Sequence, residues 1–342
     1  MAVAAELRAS GAEVSFLGTR ERAEAELVPA AGYEIDFVRV RGIDRRNPLK
    51  AARAGLEALA AVGAARRALR RRRADVVLGG GGFVAGPAGL AAALTRTPLV
   101  LTEADSHLGL ANRLLAGRAR RVCLAFPIEG RDGGAYLLTG RPVPAAVLDA
   151  DREAARARFG IPAEARCLLV VGGSQGARSV NFAALEAFAE RPGRDFQVLH
   201  LAGRRDHAEL LQRLAAAGHA KDYRLLDYEP DLGDVLAACD LVLGRSGGSI
   251  FEFTAAGRPA ILVPFPYATA DHQTANAAWM QRGGAATVLP DAALGPERLA
   301  AEVGALLGDA ALLGRMAASS RALARPDAAR RIADQVLEAA SG

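Results

Sequence analysis

Cysteine is nearly absent from this 342-residue sequence: Cys123, Cys167 and Cys239 stand far apart, with no CxxC and no Cys/His pair at ligand spacing. That excludes a disulfide framework and a zinc knuckle. Three isolated thiols inside apolar runs fit the core of a protein kept reduced. Aromatic residues make up only 5%, with a single tryptophan, so the cores must be built from Ala, Leu and Val. No aromatic residues interleave with the basic ones, which argues against a nucleic-acid partner. No apolar run is long enough to read as a membrane span. The opening residues, MAVAAELRASGAEV, carry Glu6 and Arg8 and lack a basic-then-apolar layout, so they do not read as a secretory leader. No low-complexity tract signals disorder.

What the chain does have is length and alternation. A chain of 342 residues, 51% of them hydrophobic, exceeds one core, so two domains are expected. Strand-like runs alternate with helical ones, the pattern of an α/β fold with doubly wound parallel sheets. In the first half the strands fall at about 13–17, 35–38, 75–78, 98–101, 121–125 and 136–138. In the second half they fall at 167–171, 196–200, 223–226, 241–243, 259–263 and 286–288. Two prolines in GRPVPAAVLDAD, from Gly140 to Asp151, interrupt the pattern and divide the chain into domains over 1–143 and 144–322. The remaining 323–342 holds a helix that is expected to pack back on the first domain. That first domain opens on a helix, Ala2 to Ala9, where a doubly wound half normally starts with a central strand. Either it begins irregularly or its first strand is missing.

The net charge of +5 is unevenly placed. Between Arg39 and Arg73 twelve Lys or Arg face only Asp44 and Glu57. The helix from Pro48 to about Arg73 mixes Leu49, Leu56, Leu59 and Leu69 with a basic end at Arg66, Arg67 and Arg70 to Arg73. Arginines at a helix C-terminus complement its dipole, and a solvated helix needs no more than that. The alternative is peripheral docking on an anionic membrane surface, where each basic residue contributes about 1 kcal/mol.

Four segments carry the chemistry. RSGGSIFEF, from Arg245, follows the apolar run Asp240-Leu241-Val242-Leu243 and places Glu252 in the helix behind a glycine turn. Such a turn aims N–H groups at an anion, whereas a carboxylate one turn into the helix repels phosphate and suits hydroxyls. That pairing suggests a nucleotide-sugar site; an ordinary strand–turn–helix unit would also use the glycines. Gly79 to Gly82 after a strand would suit a pyrophosphate, or simply a flexible turn. Gly172-Gly173-Ser174-Gln175-Gly176-Ala177-Arg178 brings glycines, a hydroxyl and a cation to a helix start, fit to neutralise a leaving diphosphate. It lacks the Lys-Ser/Thr of a P-loop and, with Arg178 in place of the third glycine, the dinucleotide fingerprint. Thr102-Glu103-Ala104-Asp105-Ser106-His107 is acid–base material, or a helix cap at Asp105 or Ser106. Asp149-Ala150-Asp151 spells a metal-binding DxD, yet it precedes a helix that Asp151 would cap, so no metal is expected there. His200, His207 and His219 have no partners at suggestive spacing.

Taken together, VVLGGGGFVAGPAGLAAAL, LTEADSHLGLANRLLA, AFP, TGRPV, VVGGSQGARSVN and RSGGSIFEFTAAGRPAILVPFP…DHQTANA resemble the MurG family of peptidoglycan glycosyltransferases over nearly the whole chain. The resemblance implies a GT-B fold, two Rossmann-like domains facing across a cleft. It implies an inverting N-acetylglucosaminyltransferase without metal or cofactor. UDP-GlcNAc, the donor, would bind the C-terminal domain. The undecaprenyl-linked acceptor, lipid I, would meet the N-terminal domain at the cytoplasmic face of the inner membrane. Carried onto this chain, Ser174, Gln175, Gly176 and Arg178 belong to the donor loop, and Gly248, Ser249, Ile250 and Phe251 lie along the diphosphate. Glu252 accepts the ribose hydroxyls, Gln273 contacts the sugar and the main chain near Glu229 holds the uracil. Gly80, Gly81, Gly82 and Arg141 fall on the acceptor side.

Three departures stand out. The family's first strand and GGTxGHxxPA loop, with its histidine, do not precede the helix at Met1-Ala2-Val3-Ala4, which reads as a missing N-terminus. Asp105 replaces a donor-contacting asparagine of the family's HEQN. Pro144 stands where GNPVR ends in arginine, with Arg141 three residues earlier. Glu103 is then the leading candidate for the base, with His107 behind it. A UDP-GlcNAc 2-epimerase-like enzyme and a truncated donor-binding protein without turnover are the two other readings.

Overall fold

The computed structural model describes residues 1–40, 48–173, 176–190, 194–218, 222–268 and 271–342, with side chains throughout except at 48–56 and 58. Residues 41–47 of the basic stretch, Ser174, Gln175 and His219 lie outside the described residues. The chain divides into two compact units, Met1–Pro142 with Asp327–Gly342, and Val143–Pro326.

Unit 1 runs α1 (Ala2–Ala9), β1 (Ser15–Gly18), α2 (Glu24–Ala30), β2 (Glu34–Phe37), α3 (Pro48–Arg72) and β3 (Val77–Gly79). It continues with α4 (Gly82–Thr95), β4 (Leu99–Glu103), α5 (Leu110–Leu115), β5 (Arg121–Leu124) and β6 (Tyr136–Leu138). All its strand pairs are parallel. They form two sheets, β1–β2 and β3–β4–β5–β6, so the single doubly wound sheet expected here is divided. The central strands β4 and β5 are largely apolar on both faces, as in a sheet covered by helices on both sides. Val100, Leu101, Val122 and Cys123 are buried, the last with its thiol pKa pushed up to about 12 by that burial.

Unit 2 runs α6 (Ala145–Asp149), α7 (Arg152–Phe159), β7 (Arg166–Val171), α8 (Arg178–Phe188), β8 (Phe196–Leu201) and α9 (His207–Ala217). Then come β9 (Tyr223–Leu226), α10 (Leu232–Ala238), β10 (Leu241–Gly244), α11 (Ile250–Ala255), β11 (Ala260–Leu262) and α12 (His272–Arg282). It closes with β12 (Ala286–Val288), α13 (Pro296–Gly308) and α14 (Ala310–Leu323). The six parallel strands are ordered β12-β11-β10-β7-β8-β9, so the chain builds outward from β7 to one edge, returns to β10, and builds to the other. Such an order reverses between β7 and β10, the place where ligands settle in open α/β sheets. Leu168, Leu169, Val170, Leu241, Val242 and Leu243 are wholly buried at this centre.

The last helix, α15 (Ala328–Ser341), belongs to unit 1. Its Ile332, Ala333 and Val336 pack with Leu7 of α1 and Val100 of β4.

Two local expectations change. Helix α4 begins at Gly82, not near Pro87, so the glycine turn before it is only Gly80–Gly81. Helix α5 is capped by Gly109, and neither Asp105 nor Ser106 serves. In contrast Asp151 caps α7 through a bond from the Ala154 amide to Oδ1 at 2.8 Å, while Gly160 ends that helix in the left-handed conformation. Replacing Asp151 by Ala is therefore expected to lower stability by about 1 kcal/mol in urea unfolding. The loss should be the same with and without divalent ions; a metal-dependent loss would overturn the capping role.

Candidate functional site

Strands β7 and β10 pair in register, Leu241 with Leu168 through Gly244 with Val171. The glycines that follow them, Gly172 and Gly173 after β7 and Gly247 and Gly248 after β10, therefore continue from paired strand ends. Close packing explains the glycines. A Cβ on Gly244 would come within 2.8 Å of the Val171 carbonyl, one on Gly172 within 2.2 Å of the Ala177 amide nitrogen. Gly176 is left-handed, and a Cβ there would lie 2.3 Å from the Ala202 carbonyl. Gly173, also left-handed, borders open space.

The second turn is rigidly held. Arg245, only 12% exposed, donates to the Val263 and Pro264 carbonyls at 3.1 and 3.2 Å and to Ser179 Oγ at 2.7 Å, and it pairs with Asp291. Ser246 Oγ donates to the Gln273 carbonyl at 2.7 Å, and Asn276 Nδ2 to the Ser246 carbonyl at 3.0 Å. These bonds join the C-terminal ends of β10 and β11 to the starts of α8 and α12. The amides of Gly248 and Ser249 meet no acceptor among the described residues. Ile250 and Phe251 are buried, and their amides donate to the Gly247 and Gly248 carbonyls, each at 3.3 Å. Glu252 lies half-buried in the first turn of α11. Gln273 accepts from the Phe265 amide at 3.0 Å through Oε1, and its Nε2 points toward Gly247.

Arg178 does not aim its charge at the turns. It is tied to Asp206 at 3.3 Å and Glu209 at 2.9 Å, and its guanidinium lies over Phe182. Two carboxylates therefore hold the guanidinium that the sequence reading set beside a diphosphate. The Glu229 carboxylate is likewise engaged, by Arg158 at 2.7 Å and the Asp231 amide at 3.0 Å, which leaves its main chain at the end of β9.

In unit 1, Gly81 and Gly82 are both left-handed and open the 14-residue helix α4, with Gly80 exposed before them. Glu103, the expected base, is bonded within its own loop. Its carboxylate is buried at the end of β4 and accepts three bonds, from the amides of Asp105 (3.2 Å) and Gly109 (2.8 Å) and from Asn112 Nδ2 (2.8 Å). A carboxylate so surrounded holds the loop from Asp105 to Gly109 in shape, with both sites of Oε2 taken and one of Oε1. His107 in that loop is half-buried and has no bonding partner among the described residues. Asp105 and Arg141 are also half-buried.

Sequence reasoning missed Arg245, Asn276 and Asn112, all of which act on the main chain. The available signal for Arg245 was its place directly after an apolar strand. Among the described residues no three His, Cys, Asp or Glu side chains gather in a group that could hold an ion.

Residues 1–124 match the glycosyltransferase family 28 N-terminal domain, and residues 167–332 its C-terminal domain. The chain is 42% identical to the UDP-N-acetylglucosamine--N-acetylmuramyl-(pentapeptide) pyrophosphoryl-undecaprenol N-acetylglucosamine transferase of Nitrosococcus oceani, over 100% of this chain and 95% of that one. The protein of the same name from Moorella thermoacetica is 40% identical over 96% of this chain and 91% of its own. Among solved structures, MurG of Acinetobacter baumannii superposes with a TM-score of 0.77 at 28% identity, covering 98% of this chain and 94% of that one. With this identity along its whole length and both family 28 domains present, the chain belongs to the MurG family of GT-B glycosyltransferases.

Proposed function

We propose that this chain transfers N-acetylglucosamine from UDP-GlcNAc to the C4 hydroxyl of undecaprenyl-diphospho-MurNAc-pentapeptide, lipid I, forming lipid II with inversion. The observation that carries this reading is the pair of glycine turns at the switch point of unit 2, in a chain akin to such transferases throughout. The acceptor oxygen bonds to the anomeric carbon, the bond from that carbon to the diphosphate breaks, and its electron pair leaves with UDP. A base takes the hydroxyl proton.

At the donor end the open amides of Gly248 and Ser249 meet the diphosphate, and Glu252 accepts from the ribose hydroxyls. Gln273 reaches the sugar through Nε2, and the main chain at Glu229 takes the uracil. The departing charge is met by N–H groups at helix starts and needs no metal. Incubation with UDP-GlcNAc and lipid I should give lipid II and UDP in equal amounts, undiminished by EDTA. An epimer formed from UDP-GlcNAc alone, or donor binding without product, would overturn the transferase reading, and loss of activity on chelation would overturn the metal-free step.

On the acceptor side the helix start at Gly80, Gly81 and Gly82 suits a second diphosphate, with Arg141 as its cation. Asp105 occupies the place of a donor-contacting asparagine. With Glu103 engaged by the main chain, His107 is the base. Glu103→Gln puts an N–H₂ group against at least one donor, the Asp105 amide, and is expected to lower stability by about 1–3 kcal/mol. His107→Ala is expected to lower kcat by about 100-fold or more with an unchanged melting temperature. The converse pattern, a stable Glu103→Gln protein with kcat down as far, would return the base to Glu103.

The membrane reading gains support from an apolar surface that the sequence pattern did not reveal. Leu90 and Leu94 on α4 and Leu110 and Leu114 on α5 are all exposed, as are Phe83 and Leu59. Helix α3 contributes less charge than its sequence suggests, because Arg71 and Arg72 pair with Asp36 and Glu34 of β2. Arg70, Arg73 and Arg96 converge with Leu69 and Leu94 on one shallow groove. Apolar insertion ringed by arginines fits the anionic cytoplasmic face of the inner membrane. Sedimentation with phosphatidylglycerol vesicles should fall with salt and fall further in Leu94→Glu. Binding indifferent to anionic lipid, salt and Leu94→Glu would exclude this surface.

A further inference from the structure

Beneath the turn between β7 and α8 lies a chain of buried polar groups that the reaction leaves unused. His200 of β8 is fully buried. Its Nδ1 is 2.7 Å from the Tyr223 hydroxyl of β9, and its Nε2 is 3.1 Å from Asn181 Oδ1 of α8. Asn181 is buried too, and its Nδ2 donates to the Ala202 carbonyl at 2.7 Å and to Asp206 Oδ2 at 3.0 Å. Both of those partners accept only, so the amide nitrogen of Asn181 must face them and its oxygen must face His200. Nε2 of His200 therefore carries the proton, and Nδ1 accepts from Tyr223.

Burial keeps this imidazole neutral, with its pKa lowered to about 3; His207 adds to that effect and Asp206 opposes it. Burial by itself would raise the Asp206 carboxyl, but bonds from Arg205, Asn181 and Arg178 hold it below its ordinary value. Every bond thus runs one way, from Tyr223 through His200 and Asn181 to Asp206, where Arg178 and Arg205 also donate. The chain touches the turn at Gly176. A Cβ there would strike the Ala202 carbonyl at 2.3 Å and Asn181 Nδ2 at 3.2 Å, so this glycine rests on the atoms that Asn181 fixes. The Gly176 amide then closes back on the Gly173 carbonyl at 2.9 Å.

We propose that His200 and Asn181 are positioning residues for donor binding: their one-way hydrogen-bond chain sets the backbone of Gly173 and Gly176 and keeps Arg178 turned onto Asp206. This rests on the reading of unit 2 as the donor end. Removing the Nε2 proton leaves Asn181 Oδ1 buried without a donor, so the amide that holds the Ala202 carbonyl and Asp206 through Nδ2 is no longer satisfied at its other end. The turn above it then loosens, while the acceptor side, carried by other elements, is untouched.

The test is calorimetric titration of UDP into the full-length protein, paired with steady-state kinetics. His200→Leu should weaken UDP about tenfold, the worth of one hydrogen bond, and raise KM for UDP-GlcNAc in parallel. The KM for lipid I and kcat should hold. His200→Gln, whose amide nitrogen takes the place of Nε2, should recover UDP binding to within about threefold. Tyr223→Phe removes only the hydroxyl at the far end and should weaken UDP about two- to threefold; if His200→Leu does not fold, this variant and His200→Gln decide. Unchanged UDP affinity in folded His200→Leu or in Tyr223→Phe, no recovery in His200→Gln, or equal losses for donor and acceptor would overturn the relay. Wild-type protein that fails to bind UDP would overturn the donor reading instead.

Discussion

The close approach of β7 and β10 is the constraint on which the functional end of unit 2 depends. Gly244 has no side chain because the Val171 carbonyl occupies the space a Cβ would need. With those two residues in register, the two glycine turns start from adjacent strand ends. Arg245, the next residue, then ties four chain segments through its planar fork of donors. A lysine has neither the reach nor the number of fixed donors for this.

Charged residues near both candidate sites are used chiefly on the protein itself. Glu103 receives three N–H donors, Arg178 two carboxylates, Arg245 two carbonyls, a hydroxyl and a carboxylate. Turns at strand ends expose main-chain groups in places shielded from water, where an unmet donor or acceptor is costly. Side chains that look catalytic in the sequence, Glu103 above all, therefore also hold the protein's own main chain in place.

Much of the fold was legible because a strand buried on both faces must be apolar along its length. The runs at 168–171 and 241–243 mark β7 and β10 almost to the residue. Caps were legible where a short polar side chain precedes a helix, as at Asp151, and illegible where the cap is a glycine whose amide goes to a distant carboxylate, as at Gly109. The basic stretch misled in part, since nothing local reveals that Arg71 and Arg72 face Asp36 and Glu34 across 34 residues or more. The exposed leucines of α4 and α5 were hidden for the same reason: a helix in a layered fold shows its outward face only once its neighbours are known.

The sequence alone determined the α/β class, the order of the strands along the chain and the glycine turns, because hydrophobic period and glycine content act locally. Its motifs also carried the resemblance to the MurG family. Tertiary structure alone decided which strand ends stand side by side, which charges are free and which are bound. Strand order, β12-β11-β10-β7-β8-β9, brings residues 73 apart into contact, and no local pattern encodes that. His200 shows the difference most plainly. In the sequence it is a histidine without partners; in the fold it is a neutral imidazole of one tautomer, held between a tyrosine 23 residues away and an asparagine 19 residues away.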